Sequence, residues 1–141
     1  MEIFSALGDL NWWAVIVAAL SSFVVGFVWY AKPVFGNKWM KLVGITPKEM
    51  DSSKGMIKTF SMTGLFSLLT AIILGCLMLE TGTSGLINGI IFGAVIGLVF
   101  RAGAHVIHNG FAHKSGTLTV IDSAHDIAAL AVMGAILGVW M

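Results

Sequence analysis

Long apolar runs separated by short polar segments dominate the pattern of this chain. Four runs, at approximately residues 11–30, 58–79, 84–106 and 118–140, are each near the 20 residues that a helix needs to cross about 30 Å of hydrocarbon. The ten-residue alternating segments of a transmembrane barrel are absent from the sequence. The pattern therefore predicts an all-α integral membrane protein, with residues 1–141 forming a single domain of four transmembrane helices.

The connection at residues 31–57 is the only sizeable polar part. Within it, Trp39, Leu42 and Val43 fall on one side of a short helix that also carries lysines. This arrangement predicts an amphipathic segment lying at the membrane interface. The run Thr46-Pro47-Lys48-Glu49 has the spacing of a capping box, so a further short helix is expected to begin there, with a break near Gly55.

The last two predicted spans carry residues at a repeated four-residue spacing. The stripe in the third span and beyond it comprises Gly85, Gly89, Gly93, Gly97, Arg101, His105, Asn109 and His113. The stripe in the fourth span has the opposite order, with Asp122, Asp126, Leu130, Gly134 and Gly138. Small residues let helices approach closely in lipid, where no hydrophobic force drives their association. We therefore predict an antiparallel pair of helices in contact over glycine.

Folding the pair back through residues 109–117 gives one register for both stripes. It sets Gly93 level with Gly134 and Gly89 level with Gly138. At the other end it sets Arg101 beside Asp126 and His105 beside Asp122. The predicted polar cluster comprises Arg101, His105, His108, Asp122, His125 and Asp126. Asp122 has a simpler alternative role as the cap of the fourth helix, and Asn109-Gly110 is expected to end the third.

Several functions are compatible with this cluster. Charges within a membrane are costly unless paired or hydrated, so they mark either a structural ion pair or a site. One possible site is a divalent metal centre, whose candidate ligands are His105, His108, Asp122, His125 and Asp126. Another is a proton-binding group, because His and Asp chains are typical of proton relays.

A third possibility is that Arg101 holds an anionic group, such as a lipid phosphate, in a pocket facing the cytoplasm. A catalytic version would use His105 or His125 as a general base. Neither Ser115 nor Ser123 lies in a nucleophile motif, so no catalytic residue is assigned and an enzyme is the less favoured interpretation. The alternative to all of these is a structural or partner-stabilising protein whose cluster only locks two helices together.

Charge and composition narrow the class and suggest an orientation. The chain is 57% hydrophobic and 11% charged, against roughly a quarter charged in soluble domains. A net charge of +1 without a basic arm argues against nucleic acid as a partner and leaves the lipid bilayer. The lysines all fall in the connection at residues 31–58 or in the turn at Lys114. By the positive-inside rule both connections are expected in the cytoplasm and both termini outside the cell membrane.

Small-residue stripes also occur in the first two spans. They comprise Ala14, Ala18, Ser22 and Gly26 in the first, and Ser67, Ala71 and Gly75 in the second. Faces of this kind, beyond those used by the third and fourth helices, predict a homo-oligomer.

Short motifs along nearly the whole chain resemble one known family. They comprise Asn11-Trp12, Gly26, Trp29-Tyr30, Phe35-Gly36, Trp39, Arg101, His105, His108, Asp122 and Gly138-Val139-Trp140. These residues resemble DUF1761, a family of small, mostly bacterial membrane proteins to which no activity is assigned. The resemblance implies four membrane spans in a bacterial inner membrane, and it implies no chemistry.

Overall fold

The computed structural model describes residues 2–50 and 55–141, which form six α-helices and no strand. The helices are α1 (Trp12–Trp29), α2 (Asn37–Val43), α3 (Pro47–Met50), α4 (Met56–Glu80), α5 (Leu86–Phe111) and α6 (Gly116–Val139). Four of them, α1, α4, α5 and α6, are long and apolar enough to cross a membrane. The predicted all-α, four-span architecture is confirmed.

The four long helices pack in the order α4, α1, α6, α5, which differs from their order in the chain. A bond of 2.8 Å from the Ser22 hydroxyl to the Ser67 hydroxyl joins α1 to α4, beside the fully buried Ala18 and Ala71. Helices α4 and α5 follow each other through a short turn at residues 81–85, yet they barely touch. They therefore leave an open gap between them.

Helices α5 and α6 form the tightest contact of the fold, and it is made over glycine. A side chain at Gly93 would overlap the Leu130 carbonyl, and one at Gly134 would overlap the Gly89 carbonyl. The Gly85 amide donates to the Gly138 carbonyl at 2.7 Å, and Gly85 does so with a φ of 85° that other residues rarely adopt. The two backbones are therefore in direct contact along this half of the pair.

Helix α5 contains a wide π-helical turn at Gly97–Ala102, between regular segments Leu86–Ile96 and Gly103–Phe111. In a regular α-helix, residues four apart are rotated by about 40° relative to each other, so a four-residue stripe winds away from its partner. Between Gly89 and Arg101 this drift amounts to about 120°. A π turn accommodates an extra residue, which reverses about 100° of this rotation. Arg101 therefore stays on the face that α6 covers.

Two features of the connection between α1 and α4 agree with the sequence pattern, and its placement at the membrane interface stays a prediction. The Thr46 amide donates to the Glu49 carboxylate at 2.7 Å and the Glu49 amide donates to the Thr46 hydroxyl at 3.3 Å. This reciprocal pair confirms the predicted capping box. Gly55 has a φ of 92° immediately before α4, where the break was expected.

Two expectations about helix ends were wrong. Helix α5 continues through Asn109-Gly110 to Phe111, and the residue with left-handed backbone is His113, with a φ of 51°. Helix α6 begins at Gly116, so Asp122 lies well inside the helix and does not cap it. Helix α5 therefore ends later, and helix α6 begins earlier, than the apolar pattern indicated.

The predicted stripes of α1 and α4 are used within the chain. Ala14, Ala18, Ala71 and Gly75 are buried, and a side chain at Gly75 would lie 2.8 Å from a Leu10 methyl group. These faces are therefore not free for a second copy. Homo-oligomer formation stays a prediction, without the support that it took from these stripes.

Candidate functional site

The carboxylate of Asp126 lies at the centre of the polar cluster, in the half of α6 that follows the α5–α6 turn. Only 7% of the Asp126 side chain is exposed. Arg101 donates from Nε to Oδ2 at 3.1 Å and from Nη2 to Oδ1 at 3.4 Å. His105 Nε2 lies 3.0 Å from Oδ2, and His125 Nδ1 lies 3.1 Å from Oδ1. Both oxygens of Asp126 thus have two partners each.

The geometry assigns hydrogen-bond roles to the two ring nitrogens that face Asp126. An ionised carboxylate only accepts hydrogen bonds, so the imidazole nitrogens that face Asp126 carry the protons. In neutral His125 this leaves Nε2 as an unprotonated acceptor. That atom is buried, has no partner among the residues of the two described ranges, and lies near Gly26. The His125 ring itself is enclosed by Trp29 and Tyr30, with ring centroids 6.3 and 5.0 Å away.

Asp122 belongs to a different set of contacts from the one predicted. Its Oδ1 accepts from the Tyr30 hydroxyl at 2.8 Å and from Trp39 Nε1 at 3.0 Å. The indole of Trp29 donates to the Ile121 carbonyl at 3.1 Å. These bonds hold the α1–α2 connection against α6. The predicted pairing of His105 with Asp122 was wrong, because His105 reaches Asp126 and the aromatic donors occupy Asp122.

The side chain of the remaining cluster residue, His108, is exposed and makes no hydrogen bond or ion pair with any described residue. In residues 2–50 and 55–141 no group of three or more His, Cys, Asp or Glu side chains is arranged to hold a metal ion. The physical reason is that Asp126, the central carboxylate, already accepts from Arg101 and two imidazoles. A cation would have to displace these donors.

Arg101 connects this network to a cavity of about 770 Å³ between α4 and α5. Its side chain is 48% exposed, so the guanidinium is fixed on one side by Asp126 and open on the other. The described residues that line the cavity, which we name the basic groove, are Gly55, Lys58, Thr59, Met62, Thr63, Phe66, Ser67, Thr70 and Arg101.

The basic groove is cationic and lined with hydroxyl groups. Lys58 and Arg101 are its only charged side chains among the described residues. The hydroxyls of Thr59, Thr63 and Thr70 each donate to the carbonyl four residues earlier, at 2.7–3.1 Å. Their oxygens therefore present acceptors to the cavity, while Arg101 and Lys58 supply charged donors.

The α4 wall of the groove was not predicted from the sequence. A signal was present, since Thr59, Thr63, Ser67 and Thr70 recur at helical spacing on one face of α4. Threonine and serine are common in membrane helices, so this spacing alone does not indicate a site. Only the separation of α4 from α5 makes that face the wall of a cavity.

No curated protein and no solved structure matches the chain. The model of one family, described as a protein of unknown function (DUF1761), matches residues 13–138. The match covers α1 through most of α6 and includes Arg101, Asp122 and Asp126. This four-helix chain therefore belongs to the DUF1761 family.

Proposed function

We propose that this membrane protein binds the anionic headgroup of a bilayer lipid in the basic groove, with Arg101 as the recognising group. The observation that carries the proposal is the two-sided position of Arg101, which Asp126 holds from within and the groove exposes on the other side. A guanidinium has five N–H donors. Two nitrogens face Asp126, and the remaining donors are free for a phosphate.

Anchoring by Asp126 favours recognition because it fixes the direction of the guanidinium before a ligand arrives. An arginine held in place loses less side-chain freedom on binding than a free one does. Planar guanidinium groups also match phosphate oxygens with two parallel hydrogen bonds. The contacts of Asp126 therefore orient the free edge of Arg101 toward the groove.

The charge of the groove favours an anion over a cation or a proton. Within the described part of the chain its lining contains Lys58 and Arg101 and no carboxylate. A metal ion placed there would face two positive charges. The carboxylate of Asp126 is 7% exposed and lies on the far side of Arg101. Proton transfer across the membrane lacks a path along α5 and α6, because their glycine half is in backbone contact.

The location of the groove agrees with headgroup binding. Lys58 and Arg101 lie at the same end of the helices as the lysine-rich connection between α1 and α4. The positive-inside rule assigns this end to the cytoplasm and both termini to the outside of the cell membrane. The ligand would then be a lipid of the inner leaflet, whose anionic headgroups are attracted by basic residues at the surface.

Native mass spectrometry of the delipidated protein tests the proposal. Phosphatidylglycerol should bind the wild type more tightly than phosphatidylcholine, and Arg101→Gln should lower its affinity by about 10- to 100-fold, the loss of one charge-assisted contact. Lys114→Gln removes a positive charge from the α5–α6 turn, outside the groove, and is the matched control. Equal binding of both lipids to the wild type, or equal losses in the two variants, would refute headgroup recognition.

A structural ion-pair lock is the second candidate, and the burial of Asp126 favours it. Removing one partner from a buried pair is strongly destabilising, whereas replacing both by apolar residues is often neutral. If the cluster is only a lock, Asp126→Asn lowers the midpoint of unfolding and Arg101→Met with Asp126→Leu restores it. If the cluster orients Arg101 for a ligand, the double variant folds and has lost its preference for phosphatidylglycerol.

A further inference from the structure

A second cavity of about 390 Å³ continues the basic groove along the same gap. Phe66 and Thr70 line both cavities, so the two adjoin on one face of α4. The described residues lining the second cavity, which we name the apolar slot, are Phe66, Leu69, Thr70, Ile73, Leu74, Leu77 and Ile96. Thr70 is the only polar residue among them, and its hydroxyl donates to the Phe66 carbonyl.

We infer that the apolar slot takes an acyl chain of the same lipid whose headgroup lies in the basic groove, so that one phosphate-bearing lipid occupies the whole gap between α4 and α5. This inference rests on the proposed function. It adds that the ligand is a complete lipid molecule of the bilayer and excludes a free phosphate.

The slot follows the half of α4 that ends at Glu80. Phe66 and Leu77 are eleven residues apart on α4, which corresponds to about 16 Å along the helix. A lipid that enters from the cytoplasmic end therefore extends its chain past the middle of the membrane to fill the slot. On the opposite wall Ile96 lies five residues from Arg101, about 7 Å deeper into the membrane. A chain that leaves a headgroup at Arg101 therefore passes Ile96 on its way into the slot.

The polarity of the gap also follows that of a lipid. Charged donors, Lys58 and Arg101, occur only in the basic groove, hydroxyl acceptors follow, and apolar side chains line the rest. A soluble anion has no apolar part, so it would leave the apolar slot unfilled. A lipid with both a phosphate and an acyl chain complements both parts.

Two substitutions on α4 with similar starting exposure test the slot. Ile73 lines it and is 44% exposed, whereas Leu65 is 48% exposed and lines neither cavity. Ile73→Trp places a bulky ring in the path of the chain, and Leu65→Trp places the same ring elsewhere on the helix. We expect Ile73→Trp to weaken binding of dioleoyl phosphatidylglycerol by about tenfold or more, and Leu65→Trp to leave it unchanged.

Native mass spectrometry measures the affinity of each tryptophan variant for the lipid. A competition experiment then uses glycerol phosphate, which has the same phosphate and no acyl chain. Glycerol phosphate should compete weakly with the lipid and equally in both tryptophan variants. If the two variants bind the lipid equally, or if glycerol phosphate competes as strongly as the intact lipid, the inference fails while headgroup binding stands. If Arg101→Gln retains the preference for phosphatidylglycerol, the proposed function itself fails. Unchanged unfolding midpoints of Ile73→Trp and Leu65→Trp show that both tryptophan variants are folded.

Discussion

The contact between α5 and α6 makes a sharp prediction for Gly93→Ala. A Cβ atom at this position would overlap the Leu130 carbonyl, which belongs to the backbone of α6 and cannot rotate away. Gly103→Ala is the matched control on the same helix, because a Cβ there would lie 3.8 Å from the Leu98 carbonyl, an ordinary contact. The same chemical change is thus made inside and outside the interface.

The two variants should change stability in opposite directions. Replacing glycine by alanine in a helix stabilises a protein by about 0.4–1 kcal/mol where the space is free, chiefly by restricting the unfolded chain. Gly103→Ala should gain part of this amount, since a detergent-unfolded membrane protein keeps much of its helix. Gly93→Ala forces the helices apart, and overpacking of this kind costs about 1–3 kcal/mol. The free energies of unfolding of the two variants should therefore differ by about 1–4 kcal/mol.

Equilibrium unfolding in mixed micelles, with increasing mole fraction of sodium dodecyl sulfate, measures this difference. Circular dichroism of the two variants before sodium dodecyl sulfate is added checks that both contain the same amount of helix. If Gly93→Ala is as stable as Gly103→Ala, the backbones of α5 and α6 do not meet over glycine, and the register that brings Arg101 to Asp126 loses its support.

Two further predictions concern the connection between α1 and α4. Asp122→Ala removes the acceptor of both Tyr30 and Trp39, so amide hydrogen exchange in residues 37–43 should accelerate about tenfold or more, which corresponds to a loss of about 1.4 kcal/mol; unchanged exchange would show that these bonds do not hold α2. The Thr46 hydrogen bonds hold the pKa of Glu49 below its ordinary value. Since the folded state favours the carboxylate, the capping box should be intact above the unfolded pKa of about 4.3 and be lost as the pH falls through the lowered pKa. The Thr46 amide resonance should shift in that pH range. A resonance that does not move between pH 7 and pH 3 would contradict this prediction.

The number of spans and the contact of the last two helices could be predicted from local patterns. Apolar length identifies a membrane helix, and four-residue spacing identifies a face. The glycine register was predictable for the same reason. Gly134 and Gly138 lie where the antiparallel alignment with Gly89 and Gly93 places them. These features depend on residues that are close in sequence, or on the pairing of two consecutive helices.

The partners of Asp122 could not be predicted in the same way. Tyr30 and Trp39 reach it from more than 80 residues away, and their position near the ends of apolar segments is equally typical of residues anchored in the headgroup region. The groove depends on the spatial order of the helices, in which α1 separates α4 from α6 over most of its length. Nothing in the residues of α4 and α5 alone indicates that two consecutive helices stand apart.

The wide turn at Gly97–Ala102 makes the backbone geometry of α5 as important as its composition. Because the turn accommodates one extra residue, deleting one residue from it would give a regular helix whose two flanking segments keep their present faces. If the turn became regular helix with all its residues kept, the segment beyond it would rotate by about 100°. His105 would then turn away from Asp126, although every side chain of the cluster would still be present. The width of one helical turn, and not only the identity of its residues, therefore decides whether the polar cluster is assembled.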